Sequence, residues 1–144
     1  MIRLFTIGFT QTSAEHFFGR LAAAGVRKIV DVRLNNVSQL AGFAKRDDLA
    51  YFARAVGSIG YEHRLDLAPS PEMLESYRKR QSSWSTYAER FRALMAARKI
   101  EAIDRAALDG GCLLCSEASP HHCHRRLVGE YLQEKWGAVT IEHL

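Results

Sequence analysis

Short, unbroken apolar runs alternate with longer helical periods along this chain, and that alternation limits its possible folds more than any other feature. "RLFTIGF" (3–9) is rich in β-formers and breaks at Gly8, which predicts a first strand. "TSAEHFFGRLAAAG" reads as a helix: Thr12 and Glu15 have capping-box spacing, Phe17, Leu21 and Ala24 share a face, and Gly25 sits where a helix stops. "RKIVDV" (27–32) has the character of a strand buried on both faces of a parallel sheet. The polar stretch "RLNNVSQLAGFAKR" reads as a long loop.

Asp47 is placed to cap a helix whose stripe is Leu49, Phe52 and Val56, and "GYEHRLDL" (60–67) reads as a third strand. Ser70 and Pro71 open another helix. Helical periods follow in "SSWSTYAERFRALMAARK", where Trp84, Tyr87, Phe91, Leu94 and Met95 share a side, and in "EAIDRAALDGG". "GCLLCS" is a fourth strand, "HHCHRRLVGEYLQEKW" a last helix and "AVTIEHL" a closing strand.

Strands that alternate with helices imply right-handed crossovers and a parallel sheet covered on both faces. The expectation is an α/β, Rossmann-like three-layer domain over residues 1–144, with about five mostly parallel strands and helices on both faces. The first strand is expected near the middle, with the order reversing between the first and fourth. Ligands in such sheets bind beyond the carboxyl ends of the strands at that switch point. The rule selects "GFTQ" (Gly8, Phe9, Thr10), "DVRLNN" (Asp31, Arg33, Asn35) and "CSEASPHHCHRR" as cleft segments.

A chain of 144 residues buries roughly two-thirds of its unfolded surface, and 47% hydrophobic with 25% charged residues is the balance of a globular protein. No apolar run reaches the roughly 20 residues of a membrane helix, and "MIRLFTIGF" is too short for a signal peptide. The expected setting is cytoplasmic, with reduced thiols, and no membrane partner. The net charge is +4, and fifteen of the twenty basic residues are arginine, whose planar fork suits phosphate and carboxylate.

All three cysteines and three of six histidines fall in "CLLCSEASPHHCHRR" (112–126). Cys112 and Cys115 have knuckle spacing, but Leu113 and Leu114 lie between them, and positions three apart on a strand face opposite sides. No metal site is assigned to that pair. A site built from Cys115, Cys123 and His124 stays open as an alternative. The thiol reading fits the local pattern better. Cys115 ends a strand, and "CHRR" opens a helix, whose N-terminus attracts anions and favours thiolate. Arg125 and Arg126 oppose the dipole there, a cost that points to a negative ligand. Cys112 reads as a small core residue. "YRKRQ" (77–81) with Trp84 has the look of a nucleic-acid patch, although on a helix it reads equally as a solvated face over a core tryptophan.

"TIGFT", "DVRLNNVSQLAGFAK", "LAPSPEMLESY" and "LLCSEASPHHCHRRLV" resemble family 488 of the domain-of-unknown-function series, over about Thr6 to Tyr131. The most specific element is the Cys-x-Glu…Cys-His-Arg pattern carried by Cys115, Glu117, Cys123, His124 and Arg125. The resemblance implies a Rossmann-like domain in which these five residues and Asp31/Arg33 share a site, and it marks the two cysteines as functionally important. Many members resemble "TIGHS" where this chain has Phe9, and many place a proline after "DVR" where this chain has "LNN". Phe9 therefore suggests an apolar or stacking wall rather than a base.

The functional expectation is an enzyme-like cleft for a phosphate- or nucleotide-type anion, with a reactive cysteine. Arg125 and Arg33, with Arg126, would clamp the anion. Cys115 or Cys123 would be the thiolate, His124 would move a proton, and Glu117 would orient a partner or act as acid/base. A cysteine-dependent transferase or hydrolase follows, resembling rhodanese-like and thiol-phosphatase logic in principle. The rivals are a non-catalytic nucleotide or nucleic-acid binding module and the metal-binding alternative. The sequence indicates no particular cofactor.

Overall fold

A computed structural model describes residues 1–37, 42–116 and 122–144. The elements are β1 (Ile2–Gly8), α1 (Ala14–Ala24), β2 (Lys28–Asp31), α2 (Arg46–Gly57), β3 (Gly60–His63), α3 (Pro71–Arg78), α4 (Trp84–Arg98), α5 (Arg105–Leu108), β4 (Gly111–Cys115), α6 (His124–Trp136) and β5 (Val139–His143). The five strands form one sheet in the order β3-β2-β4-β1-β5, and every pairing is parallel. This is the expected α/β class.

Alternation along the strands builds two cores. Phe5, Ile7, Ile29, Cys112 and Leu114 face one side and pack with Phe17, Leu21, Leu49 and Ala53 of α1 and α2. Leu4, Val30, Leu113 and Cys115 face the other and pack with Tyr87, Phe91 and Met95 of α4 and Leu127, Val128 and Leu132 of α6. Each fully buried leucine, isoleucine, valine, phenylalanine or methionine among them contributes about 1.5–3 kcal/mol of transfer free energy. Cys112 and Cys115 thus point to opposite faces. Cys112 is a fully buried free thiol in the first core.

Helix boundaries follow their caps. Ser13, not Thr12, caps α1 by accepting from His16 N at 3.1 Å, while Gly25 closes it at φ +73°. Ser70 caps α3 with Pro71 just inside, as expected. Lys45 stands at the N-cap of α2 without a side-chain bond, which leaves Asp47 in the first turn rather than capping it. The stripe expected for α2 is rotated: Leu49 and Ala53 are buried, whereas Phe52 and Val56 are 38% and 62% exposed. The i, i+4 pair with small Ala53 lets the helix sit close to the sheet, so its larger apolar groups face outward. The "EAIDRAALDGG" period holds only the short α5 and a preceding 3₁₀ turn, and β3 stops at His63 because Leu65–Leu67 turn.

The strand order corrects one expectation. β4 is central, and β1 lies one place from the edge because α6 carries the chain across β1 to add β5 outside it. The connections leaving β1 and β2 run towards β3 over the α1/α2 face. Those leaving β3 and β4 return over the face holding α4 and α6. Neighbouring strands whose connections diverge are therefore β2 and β4, and the crevice falls between them rather than between the first and fourth strands.

Candidate functional site

The crevice between β2 and β4 is a cavity of about 270 Å³. Arg33, Leu34 and Asn35 line it from the end of β2, and Cys115, Ser116, His122, Cys123 and His124 from the end of β4 and the start of α6. Pro69, Leu74, Tyr77, Arg78, Trp84 and Tyr87 close it from the α3–α4 side.

Asp31 anchors the β2 side. Its carboxylate is fully buried and accepts five bonds. Oδ1 takes Arg33 N at 3.1 Å and Arg33 Nε at 2.8 Å. Oδ2 takes Arg33 Nη2 at 2.8 Å, Asn36 Nδ2 at 3.3 Å and Tyr61 OH at 2.5 Å. Burial alone would raise the Asp31 pKa, but the bonds and charge of Arg33, with Tyr61, outweigh it and hold the carboxyl below its ordinary range. Burial, with the same carboxylate, pushes the Tyr61 hydroxyl far up, so it stays a neutral donor. His63 Nε2 meets Arg33 O at 2.7 Å. Arg33 is only 4% exposed, and its remaining nitrogen, Nη1, is buried with no hydrogen-bond partner among the described residues.

On the β4 side the structure joins Cys115 and Cys123 as a disulfide. This corrects the expectation of three reduced thiols. β4 ends at Cys115 and α6 is N-capped by Cys123, so both side chains turn into one space. As a disulfide neither sulfur is a nucleophile, and a thiolate is available only after reduction. Arg125 Nη1 donates to Cys115 Sγ at 3.3 Å, and the Arg125 side chain is fully buried.

His124 Nε2 lies 2.7 Å from Val32 O. A carbonyl can only accept, so Nε2 carries the proton and Nδ1 keeps its lone pair. Burial pushes the His124 pKa down to about 4, so the imidazole is neutral at neutral pH, with Nε2–H as its donor and Nδ1 as its acceptor. The ligand atoms of Cys115, Cys123 and His124 lie within 4.8 Å of one another.

Several expected site residues take other places. Gly8 pairs with Cys115 in register, and Thr10 Oγ1 donates to Ser116 O at 2.5 Å, so both brace the end of β4 instead of lining the cavity. Phe9 is buried, with its ring 5.3 Å from the Arg33 guanidinium carbon. The ring packs against the face of Arg33 and is not among the residues that line the cavity. Arg125 supports the sulfur without lining the cavity. Arg126 is at the margin, 6.0 Å from the Trp84 ring centre and 3.4 Å from Glu130. Glu117 and His121 lie outside the described residues.

Sequence reasoning missed Asn36, Tyr61 and the aromatic side of the cavity. Asn35, the expected cleft residue, is exposed at the rim, and its neighbour Asn36 is the buried one. The signal for Tyr61 was a polar-tipped aromatic inside a short strand. Trp84, read as nucleic-acid patch or core, is half-buried at the cavity.

Sheet order, crevice and side chains define an α/β domain with a paired-cysteine, arginine-lined pocket at the switch point. The sequence pattern of the family described as Domain of unknown function DUF488 matches residues 13–132, and the chain belongs to that family. No curated protein and no solved structure matches the chain significantly. Among the described residues, no helix is long and apolar enough to cross a membrane.

Proposed function

We propose that the crevice is the active-site cleft of a cysteine-dependent enzyme, a transferase or hydrolase, acting on a small oxyanionic substrate. The observation that carries this reading is Arg33 Nη1. It is a buried cationic nitrogen without a partner among the described residues, on a side chain that lines a cavity also lined by Cys115, Cys123 and His124. Leaving such a donor unsatisfied costs about 1–3 kcal/mol or more, a cost an oxyanion drawn from the cavity into contact with Nη1 would remove. The N-terminus of α6 adds its dipole, and Arg125 adds a second buried cation beside the sulfur.

In the reduced protein, Arg125 favours the Cys115 thiolate. That thiolate would attack the electrophilic centre of the bound anion, forming a bond from sulfur as the leaving group departs with its electron pair. His124 Nδ1 would accept a hydrogen bond from the thiol or from the second nucleophile. The test is calorimetric titration of inorganic phosphate and sulfate into the full chain and into Arg33→Gln. Binding by the full chain that Arg33→Gln weakens tenfold or more supports the reading, and equal binding by both refutes it.

One observation favours a second reading. The Cys115, Cys123 and His124 ligand atoms cluster within 4.8 Å, and the carbonyl of Val32 fixes the His124 tautomer, as carbonyls bonded to metal-bound histidines do. Three such ligands and an open position suit a zinc-type ion once both thiolates are free. Stoichiometric metal that stays with the reduced chain, and is lost in Cys123→Ser, would promote this reading over the first.

A further inference from the structure

We propose that the α3–α4 side of the cavity is a stacking platform, so that the substrate is an anion bearing a planar aromatic ring, of mononucleotide size or smaller. This rests on the reading of Arg33 as the anion contact.

A bare oxyanion would need only the sheet-end wall, where Arg33 and the cysteines sit. The opposite wall has different chemistry. Tyr77 of α3 and Trp84 of α4 meet edge to face, with ring centres 5.7 Å apart. Trp84 stacks at 24° on Tyr87, centres 5.4 Å apart, and at 25° on His122, centres 5.0 Å apart. His122 stands next to Cys123, so this aromatic series runs from the helices to the thiol end of the cavity.

Burial separates the platform from the core. Tyr87 and Phe91 continue the series inward and are buried, at 3% and 0% exposure. Tyr77 and Trp84 are only half-buried, and His122 is exposed. Tyr77, Trp84 and His122 all line the cavity, whereas Phe91 is consumed by core packing. Pro69 and Leu74 extend the same apolar wall. Arg78, exposed on the last turn of α3, adds a cation at the rim.

A cavity of about 270 Å³ lies just under the range of about 300–1,000 Å³ usual for organic ligands. That size admits one ring system with its charged group. With the charge held at Arg33, the ring is left to the wall of Tyr77, Trp84 and His122. Base-on-aromatic stacking tolerates many ring types, so the geometry assigns a class and not one base.

The experiment compares four probes on the full chain by calorimetry: inorganic phosphate, ribose 5-phosphate, phenyl phosphate and adenosine 5′-monophosphate. The expected result is that at least one aryl-bearing probe binds about tenfold or more tightly than ribose 5-phosphate. Trp84→Leu should remove that advantage while leaving the affinity for inorganic phosphate unchanged. Tyr77→Leu, checked for an unaltered circular dichroism spectrum, repeats the measurement should Trp84→Leu fail to fold. Equal affinity for all four probes overturns the platform and leaves the anion site standing. Absence of binding by every probe overturns both.

Discussion

Arg33 meets Asp31 side-on, Nε to Oδ1 and Nη2 to Oδ2, each at 2.8 Å. A planar fork engaged along that edge turns its third nitrogen, Nη1, away from the carboxylate. The pair therefore fixes a donor in space as well as neutralising a buried charge.

Asp31→Asn should be strongly destabilising, because it leaves the Arg33 guanidinium buried without its counter-ion. The expected loss is about 3–5 kcal/mol, read from urea midpoints at neutral pH. The Asp31 pKa is depressed in the folded state, so the stability it contributes is complete above about pH 4 and is lost as pH falls through the lower folded value. Asp31→Asn should flatten that acid limb. An unchanged midpoint would show that the pair is dispensable.

His124 provides a separate pH signature. Its pKa falls from the ordinary 6.5 to about 4 on folding, with burial the largest cause. Between those values the unfolded chain binds about one more proton at this position than the folded chain. Stability should thus be full above pH 6.5 and decline towards pH 4. His124→Gln should remove this part of the slope in denaturation series spanning pH 4 to 8.

Thiol counting distinguishes the three cysteines. Cys112 is fully buried, and burial pushes its thiol well above the usual range. The native disulfide form should label at no cysteine. Gentle reduction should expose Cys115 and Cys123 to iodoacetamide, and Cys112 should react only after unfolding. Mass mapping checks the order, and native labelling of Cys112 would contradict the packing.

Gly111 is constrained by the close approach of α5. A Cβ there would lie 2.9 Å from Leu108 O and 3.1 Å from Val30 Cγ2. Gly111→Ala should cost about 1–3 kcal/mol in a thermal or urea melt, as overpacking does. The same substitution at Gly19, which has nothing within 4 Å, should be stabilising or neutral.

Strands were legible because β1, β2 and β4 carry short apolar stretches (Leu4–Phe5, Ile29–Val30 and Cys112–Cys115) that a parallel sheet buries on both sides. The cysteine segment was legible too, since a strand-ending Cys115 and a helix-opening Cys123 follow from local pattern. The neighbour of β4 was not. Strand order depends on which way each crossover turns, and no local pattern around Asp31 states that β2 will lie beside β4. For the same reason Gly8 and Thr10 were expected in a cleft that opens one strand further along. The disulfide and the Asp31–Tyr61 contact depend on side-chain convergence across the sheet. Asn35 and Asn36 differ only in the direction the backbone gives each.

Cys115 terminates a strand that is hydrogen-bonded on both edges, whereas Cys123 stands at the N-cap of a helix without a side-chain cap bond. The two sulfurs consequently have unequal footing. When the bond between them opens, the strand-borne partner is held as a stator, and rearrangement is taken up by the helix entry. Amide hydrogen exchange on reduction should therefore quicken around His124 and stay slow through Leu113 and Leu114.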